Sequence, residues 1–202
     1  MSFWRTIGTF KSSRIRLPMI FPSPITGKSP QISKKAFIAE NATIIGDVII
    51  EAGANIWYGA VLRGDECTIR VGKNTSIQEN VTLHSQPGTE CIVRDNIVVG
   101  HHAMIHGPCD IGSGSLIGIN AVVLQGTTVG KGAIVAASAT ARKEIPSLTL
   151  VMGTPAKPKR ELGEDHLQNA IQAATDYVER GLKFIEAGRS QKGSEHYFKE
   201  NL

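Results

Sequence analysis

From Ile38 onward an aliphatic residue recurs at every sixth position: Ile38, Ile44, Ile50, Ile56 and Leu62. After three extra residues the series resumes at Val71, Ile77 and Leu83. After four more it resumes at Val93 and runs through Val99, Ile105, Ile111, Ile117, Val123, Val129 and Val135. All sixteen anchors are Ile, Leu or Val. Four residues after most of them stands a small side chain, as at Ala42, Ala54, Ala60, Ala103, Cys109, Ser115, Ala121, Ala133 and Ala139. A period of six matches neither the 3.6 of an α-helix nor the alternation of one strand, so it reads as a structural repeat. Each hexad supplies a short strand and a corner. The anchor points inward, and the small residue lets the chain turn without crowding the coil beneath. Three hexads make one triangular coil, so sixteen anchors predict a little over five coils. These stack at the inter-strand spacing of about 4.8 Å. The expected fold is all-β, a parallel β-helix of hexapeptide repeats.

The pattern changes after Val151-Met-Gly-Thr-Pro-Ala-Lys157. Leu167, Ile171, Ala174, Val178, Leu182 and Ile185 lie three or four residues apart, one face of an α-helix. Pro155 and Pro158 precede this helix and Gly188 ends it. It is expected to pack along the β-helix or onto a neighbouring chain. The chain thus divides into a basic N-terminal extension (1–30), a β-helix (31–157), a C-terminal helix (158–188) and a polar tail (189–202). The helix has a mixed rather than basic polar face, which argues against a membrane surface. Apolar runs such as Thr43–Ile50 are broken by Gly or Asp well short of the roughly 20 residues that span a bilayer.

Composition supports the repeat. There are 23 Ile and 13 Val against 11 aromatics, with 21 Gly, a balance that favours strands and turns over helical bundles. The net charge of +4 belongs to the leader, because residues 1–39 hold seven basic groups and no acid. Residues 40–202 carry the other 15 basic groups and all 18 acids, net −3, so no nucleic-acid partner is expected. Residues 3–17 lack the uninterrupted apolar core and small-residue cleavage site of a secretory signal. The Arg-rich, acid-free composition of residues 1–18 resembles an organelle transit peptide, and Met19 offers a second start. Cys67, Cys91 and Cys109 are odd in number and without CxxC spacing, which favours buried thiols in a reducing, cytoplasmic setting.

Four of the six histidines fall in one window, His84, His101, His102 and His106. His84 follows anchor Leu83 and His106 follows anchor Ile105, three hexads later. Both therefore occupy the same position on the same face, one coil apart, where two imidazoles can converge on one ion. Arg63 stands one coil earlier in that column. His101 lies two positions after Val99, near a corner and beside the column that holds Gln78. Two ligands on one face and a third elsewhere close a site only if prisms pack side by side, and three-fold closure is the simplest ring. Three neutral imidazoles plus water make the open, catalytic form of a zinc site. His102, His166 and His196 are expected to be structural or solvated.

Three segments carry a family resemblance: Leu62-Arg-Gly-Asp-Glu66, Ile77-Gln-Glu-Asn-Val-Thr-Leu-His84 and Gly100-His-His-Ala-Met-Ile-His-Gly107. They resemble the signature segments of γ-class carbonic anhydrases. The Val151–Lys157 segment and the helix after it look more like the bacterial members found in phenylacetate and carnitine operons. The resemblance covers roughly residues 25–185 and implies a left-handed β-helix, a homotrimer and a small-molecule substrate. It makes His84, His101 and His106 the metal ligands, with His101 supplied by the adjacent subunit. It makes Arg63 and Asp65 the inter-subunit ion pair, Gln78 the group that orients a zinc-bound hydroxide, and Glu66 the active-site glutamate. The implied activity is reversible hydration of carbon dioxide, with Zn2+ as cofactor and Fe2+ or Co2+ as alternatives. The stretch Ser85–Glu90 departs from the long acidic loop of the most active members, which implies slow proton export. Two further readings stand beside this one: a zinc-dependent thioesterase acting on an acyl-CoA-type substrate, and a non-catalytic assembly protein in which zinc staples the trimer.

Overall fold

The computed structural model describes residues 19–191 and 195–202. The leader reading for residues 1–18 lies outside the described residues. Short parallel strands stack coil upon coil around a core of anchors, all of them buried. One face carries Phe37–Ile38, Asn55–Ile56, Ser76–Ile77, Val98–Val99, Leu116–Ile117, Ile134–Val135 and Thr149–Met152 in hydrogen-bonded order. The other two faces join into one sheet, because the long strands Thr43–Ile50 and Val61–Val71 run around the corner between them. Anchors pair with anchors throughout: Ile38 with Ile56, Leu83 with Ile105, Val93 with Ile111.

The first face therefore counts seven parallel strands, more than the five coils expected. Ile20 pairs with Ile44 and Ile32 with Ile50, so the solenoid begins inside the stretch read as an extension. At the other end Ala141 occupies an anchor site opposite Val123. Ile145 then follows after four residues instead of six, and Val151 closes the last coil against Val135. A small anchor and a shortened step hide this coil from an Ile/Leu/Val periodicity. Lys157–Glu161, of which residues 158–161 were expected in the helical stretch, turns back as an antiparallel strand along Thr149–Met152.

The helix spans Glu164–Glu186 and lies on the first face of its own chain. Its 23 residues reach about 34 Å, against about 29 Å between the first and last of seven stacked strands. Leu167 and Ala174 are buried as expected, but the seam then passes through Gly181 and leaves Leu182 exposed. A Cβ at Gly181 would stand 3.1 Å from that of Phe37, so a glycine there lets the helix approach closely. Phe37, Trp57, Tyr177 and Phe184 pack together between helix and face, edge-on around Trp57, with Phe37 and Trp57 ring centroids 5.1 Å apart. Trp57 Nε1 donates to Asn55 Oδ1 at 2.8 Å, which satisfies its only donor in the seam. The prism is too narrow for aromatics, and these four gather outside it.

The tail is docked. Gln191 Nε2 donates to the carbonyls of Ala39, Glu40 and Ala42, and Phe198–Lys199 pairs in parallel with Gln31–Ser33. No helix among the described residues is long and apolar enough to cross a membrane.

Candidate metal centre

Both insertions in the repeat fall at one corner. The strands Thr43–Ile50 and Val61–Val71 stay in register as far as Gly46 and Gly64, and then Val48 faces Ile69. Residues 65–68 thus bulge outward where the coil before has Asp47 alone. The next coil widens at the same place: Gly88 N–H donates to the Glu66 carbonyl at 2.8 Å and Thr68 N–H to the Thr89 carbonyl at 3.0 Å. Gly46 sits at φ +77°, and a Cβ there would land on the Gly64 carbonyl. Only glycine allows the two coils to meet so closely beneath the excursion.

His84 and His106 flank this corner. They are register partners on adjacent coils, their rings edge to face with centroids 5.6 Å apart. Arg63 is the register partner of His84 one coil earlier. Leu124 and Arg142 continue the same column, because Val123 pairs with Ile105 and with Ala141. His84 Nδ1 lies 2.7 Å from the Arg63 carbonyl oxygen. A carbonyl can only accept, so Nδ1 carries the proton and Nε2 keeps its lone pair for a metal.

Asp65 and Arg63 stand at the same edge of the ring. Arg63 Nη1 donates to Asp65 Oδ2 at 2.6 Å, and Asp65 Oδ1 stands 3.9 Å from His84 Nδ1. Burial pushes the Asp65 carboxyl up, but the Arg63 hydrogen bond and charge outweigh it and hold the group below the usual carboxylate range. In this single chain the Arg63–Asp65 pair is internal. The Asp65 carbonyl accepts from Ser23 Oγ at 2.7 Å and Thr26 Oγ1 at 3.1 Å, so residues 23–26 support the corner. Cys67 Sγ lies 3.9 Å from His84 Nδ1, but burial pushes its thiol up and keeps it protonated. Glu66 is exposed at the crest of the excursion, its N–H donating to Asp65 Oδ1 at 3.2 Å.

His101 stands in the turn after Val98–Val99. Its backbone N–H donates to Oε1 of the buried Gln78 at 3.1 Å. Its ring Nδ1 lies 2.6 Å from Glu79 Oε2. The carboxylate accepts from Nδ1–H, so Nε2 again keeps its lone pair, the arrangement by which an outer acid orients a ligating imidazole. Glu79 was absent from the sequence-derived candidates, although the hexad arithmetic contains it. It stands two residues after Ile77 as His101 stands two after Val99, and Ile77 pairs with Val99. His102 takes the left-handed turn position at φ 59°, His166 lies in the helix and His196 stacks on Tyr197.

Among the described residues no group of three or more His, Cys, Asp or Glu side chains is arranged to hold a metal ion within the chain. His101 stands apart from the aligned pair. The donor set nonetheless fits a borderline divalent ion: neutral imidazoles with their outer nitrogens committed at His84 and His101, and no thiolate among them.

No model of a known protein family matches the chain. Individual relatives do. Over 176 residues it is 39% identical to γ carbonic anhydrase 2, a mitochondrial protein of Arabidopsis thaliana, covering 83% of this chain. The chain spans 62% of the length of that relative. Over 173 residues it is 37% identical to a carbonic anhydrase of Geobacillus kaustophilus, covering 85% of this chain and 94% of that protein. Among solved structures, a putative acetyltransferase of Bacillus cereus superposes with a TM-score of 0.79 at 35% identity, covering 83% of this chain and 97% of that one. With the aligned histidine column, the signature segments around it and relatives matched over most of their length, the chain belongs to the γ-carbonic-anhydrase family of hexapeptide-repeat β-helix proteins.

Proposed function

We propose that this chain is a metal-dependent hydro-lyase that interconverts carbon dioxide and bicarbonate, with its centre between adjacent subunits of a homotrimer. The observation that carries the reading is the pair of committed Nδ1 atoms, on His84 toward Arg63 and on His101 toward Glu79, which leaves Nε2 available on each ring. His84, His106 and a neighbour's His101 would hold a divalent ion, Zn2+ first and Fe2+ or Co2+ as alternatives. The chemistry such an ion would supply is activation of water, whose pKa it lowers to about 7.

The chain's own residues do the rest. Gln78 has its carbonyl oxygen fixed by the His101 N–H, which leaves its amide hydrogens to orient an oxygen of the reacting water or of carbon dioxide. Glu66, exposed on the excursion, takes the proton released from water and passes it to solvent. The Arg63–Asp65 pair holds the excursion against His84. Proton export is the weak step, because Ser85–Glu90 offers one acid and Gln86 is tied to Gln125 at 2.9 Å.

The test is metal analysis, light scattering and stopped-flow hydration on one preparation. About one divalent ion per chain, a trimer, and turnover lost in His106→Ala are expected. A metal-free protein, or full turnover in His106→Ala, overturns the reading. The slow proton route favours a second reading, thioester hydrolysis at the same centre. Faster turnover of an acyl thioester than of carbon dioxide would establish it. A protein without either activity whose trimer dissolves on chelation is the stapled assembly.

A further inference from the structure

The column that carries the histidines does not end at them. Below His106 come Leu124 and then Arg142, with Lys143 next in the chain. His106, Leu124, Gln125, Gly126, Arg142 and Lys143 line one open pocket of about 590 Å³. It is an open depression on the face that carries His106, and what marks it is its lining. Its contents are graded: an imidazole at one end, an apolar side chain 39% exposed in the middle, and two cations at the other end.

Neither cation is paired with a carboxylate among the described residues, whereas Arg63 and Arg94 both are. The nearest acid in sequence, Glu144, lies on another face in register with Thr128. Lys143 holds φ 63°, a left-handed conformation that costs a lysine about 1 kcal/mol or more and that Asn or Gly adopts freely. Asn fills the comparable turn positions 74, 80, 96 and 120. His102, Ser138 and Leu148 share this left-handed region, so Lys143 is one of several turn residues other than Asn, and what it adds at this place is charge.

We infer that this pocket is an anion-anchoring subsite for an extended substrate, whose carboxylate or phosphate is held by Arg142 and Lys143 while its apolar part lies on Leu124. Two rungs of about 4.8 Å separate Arg142 from His106, so the anionic group sits about 10 Å along the column from the histidine pair. The planar guanidinium offers paired donors to either oxyanion, and the ammonium adds a point charge. Carbon dioxide uses none of this, so the subsite selects an acyl compound with a charged far end. The inference rests on the proposed centre only for which end of the substrate reacts.

Calorimetric titration of the full chain with hexanoate, hexyl phosphate and hexanol tests it. One of the two anions is expected to bind about tenfold more tightly than the neutral alcohol, with the advantage lost at high salt. The tighter anion tells carboxylate from phosphate. Arg142→Gln with Lys143→Asn should abolish the advantage. Asn is compatible with the left-handed turn, so the variant keeps the fold, as an unchanged melting temperature would show. Lys131→Gln, outside the pocket, should bind as the parent does. Equal binding of alcohol and anions, or an unchanged advantage in the double variant, overturns the inference. Hydration by the unmodified chain is a separate measurement, so loss of the hydratase reading and loss of the subsite are told apart.

Discussion

Glu79 offers a sharp test of how the site is held together. Its carboxylate accepts from His101 Nδ1 at 2.6 Å, while the His101 backbone is fixed independently by Gln78. Glu79→Ala therefore removes the orientation of the ring and leaves the turn in place. Loss of such an outer partner weakens metal binding by about 10–100-fold, or about 1.4–2.7 kcal/mol. In the isolated chain the Glu79 and His101 side chains are 37% and 40% exposed, which alone would place the effect at the low end. Burial of that corner against a second subunit, as in the proposed trimer, would move it toward the upper end, since a dry carboxylate–imidazole bond is stronger. Glu79→Gln keeps an acceptor oxygen without the charge and should fall between parent and alanine. The assay is competition for Zn2+ against a chromophoric chelator, with trimer content followed by light scattering. Glu66→Gln should leave the affinity unchanged and lower hydration alone. If Glu79→Ala binds the ion as tightly as the parent while His106→Ala does not, His101 is not oriented in this way and the reasoning is refuted.

Three further outcomes follow from the fold. Asp47 is pushed up by burial but held lower overall by hydrogen bonds from Lys28 and Thr68 and by the charges of Lys28 and Arg70. A carboxyl held below its unfolded value stabilises the protein above about pH 4 and loses that contribution as pH falls through the folded value. Melting temperature should therefore drop more steeply between about pH 5 and pH 3 in the parent than in Asp47→Asn. Gly46→Ala meets both the φ +77° backbone and the Gly64 carbonyl. A cost of about 2 kcal/mol or more should appear as a fall of about 4–8 °C in a thermal melt. Leu83 lies fully buried between Leu62 and Ile105 beneath the histidine pair. Leu83→Ala should cost about 3 kcal/mol by leaving a cavity, with a fall of about 6–12 °C, and a change below 1 °C would mean the coils collapse to fill it.

The repeat was legible because one inward column imposes one side-chain class at a fixed step. It failed where that rule relaxes, at the small anchor Ala141 and at the four-residue step to Ile145. The His84–His106 alignment followed from counting hexads, and the register confirms it. The same counting would have placed Glu79 beside His101, but a carboxylate at a corner carries no mark in sequence until the imidazole above it is located. The bracing of Asp65 by Ser23 and Thr26 depends on a turn folded 39 to 42 residues away. No periodicity encodes such a contact. The docking of Gln191 is similar: one amide reaches three carbonyls of a single turn, which a polar tail does not announce.

The returning tail also bears on the order in which the molecule is made. A solenoid whose coils touch only their neighbours can assemble turn by turn as the chain leaves the ribosome. Here the strand Phe198–Lys199 covers the free edge of Gln31–Ser33, and Gln191 closes the turn at residues 39–42. The opening coil thus waits for residues synthesised more than 150 positions later. Until then that edge has no partner among the described residues, so the interval between translation of residue 33 and residue 198 is when a nascent chain is most exposed to mispairing with its neighbours on a polysome.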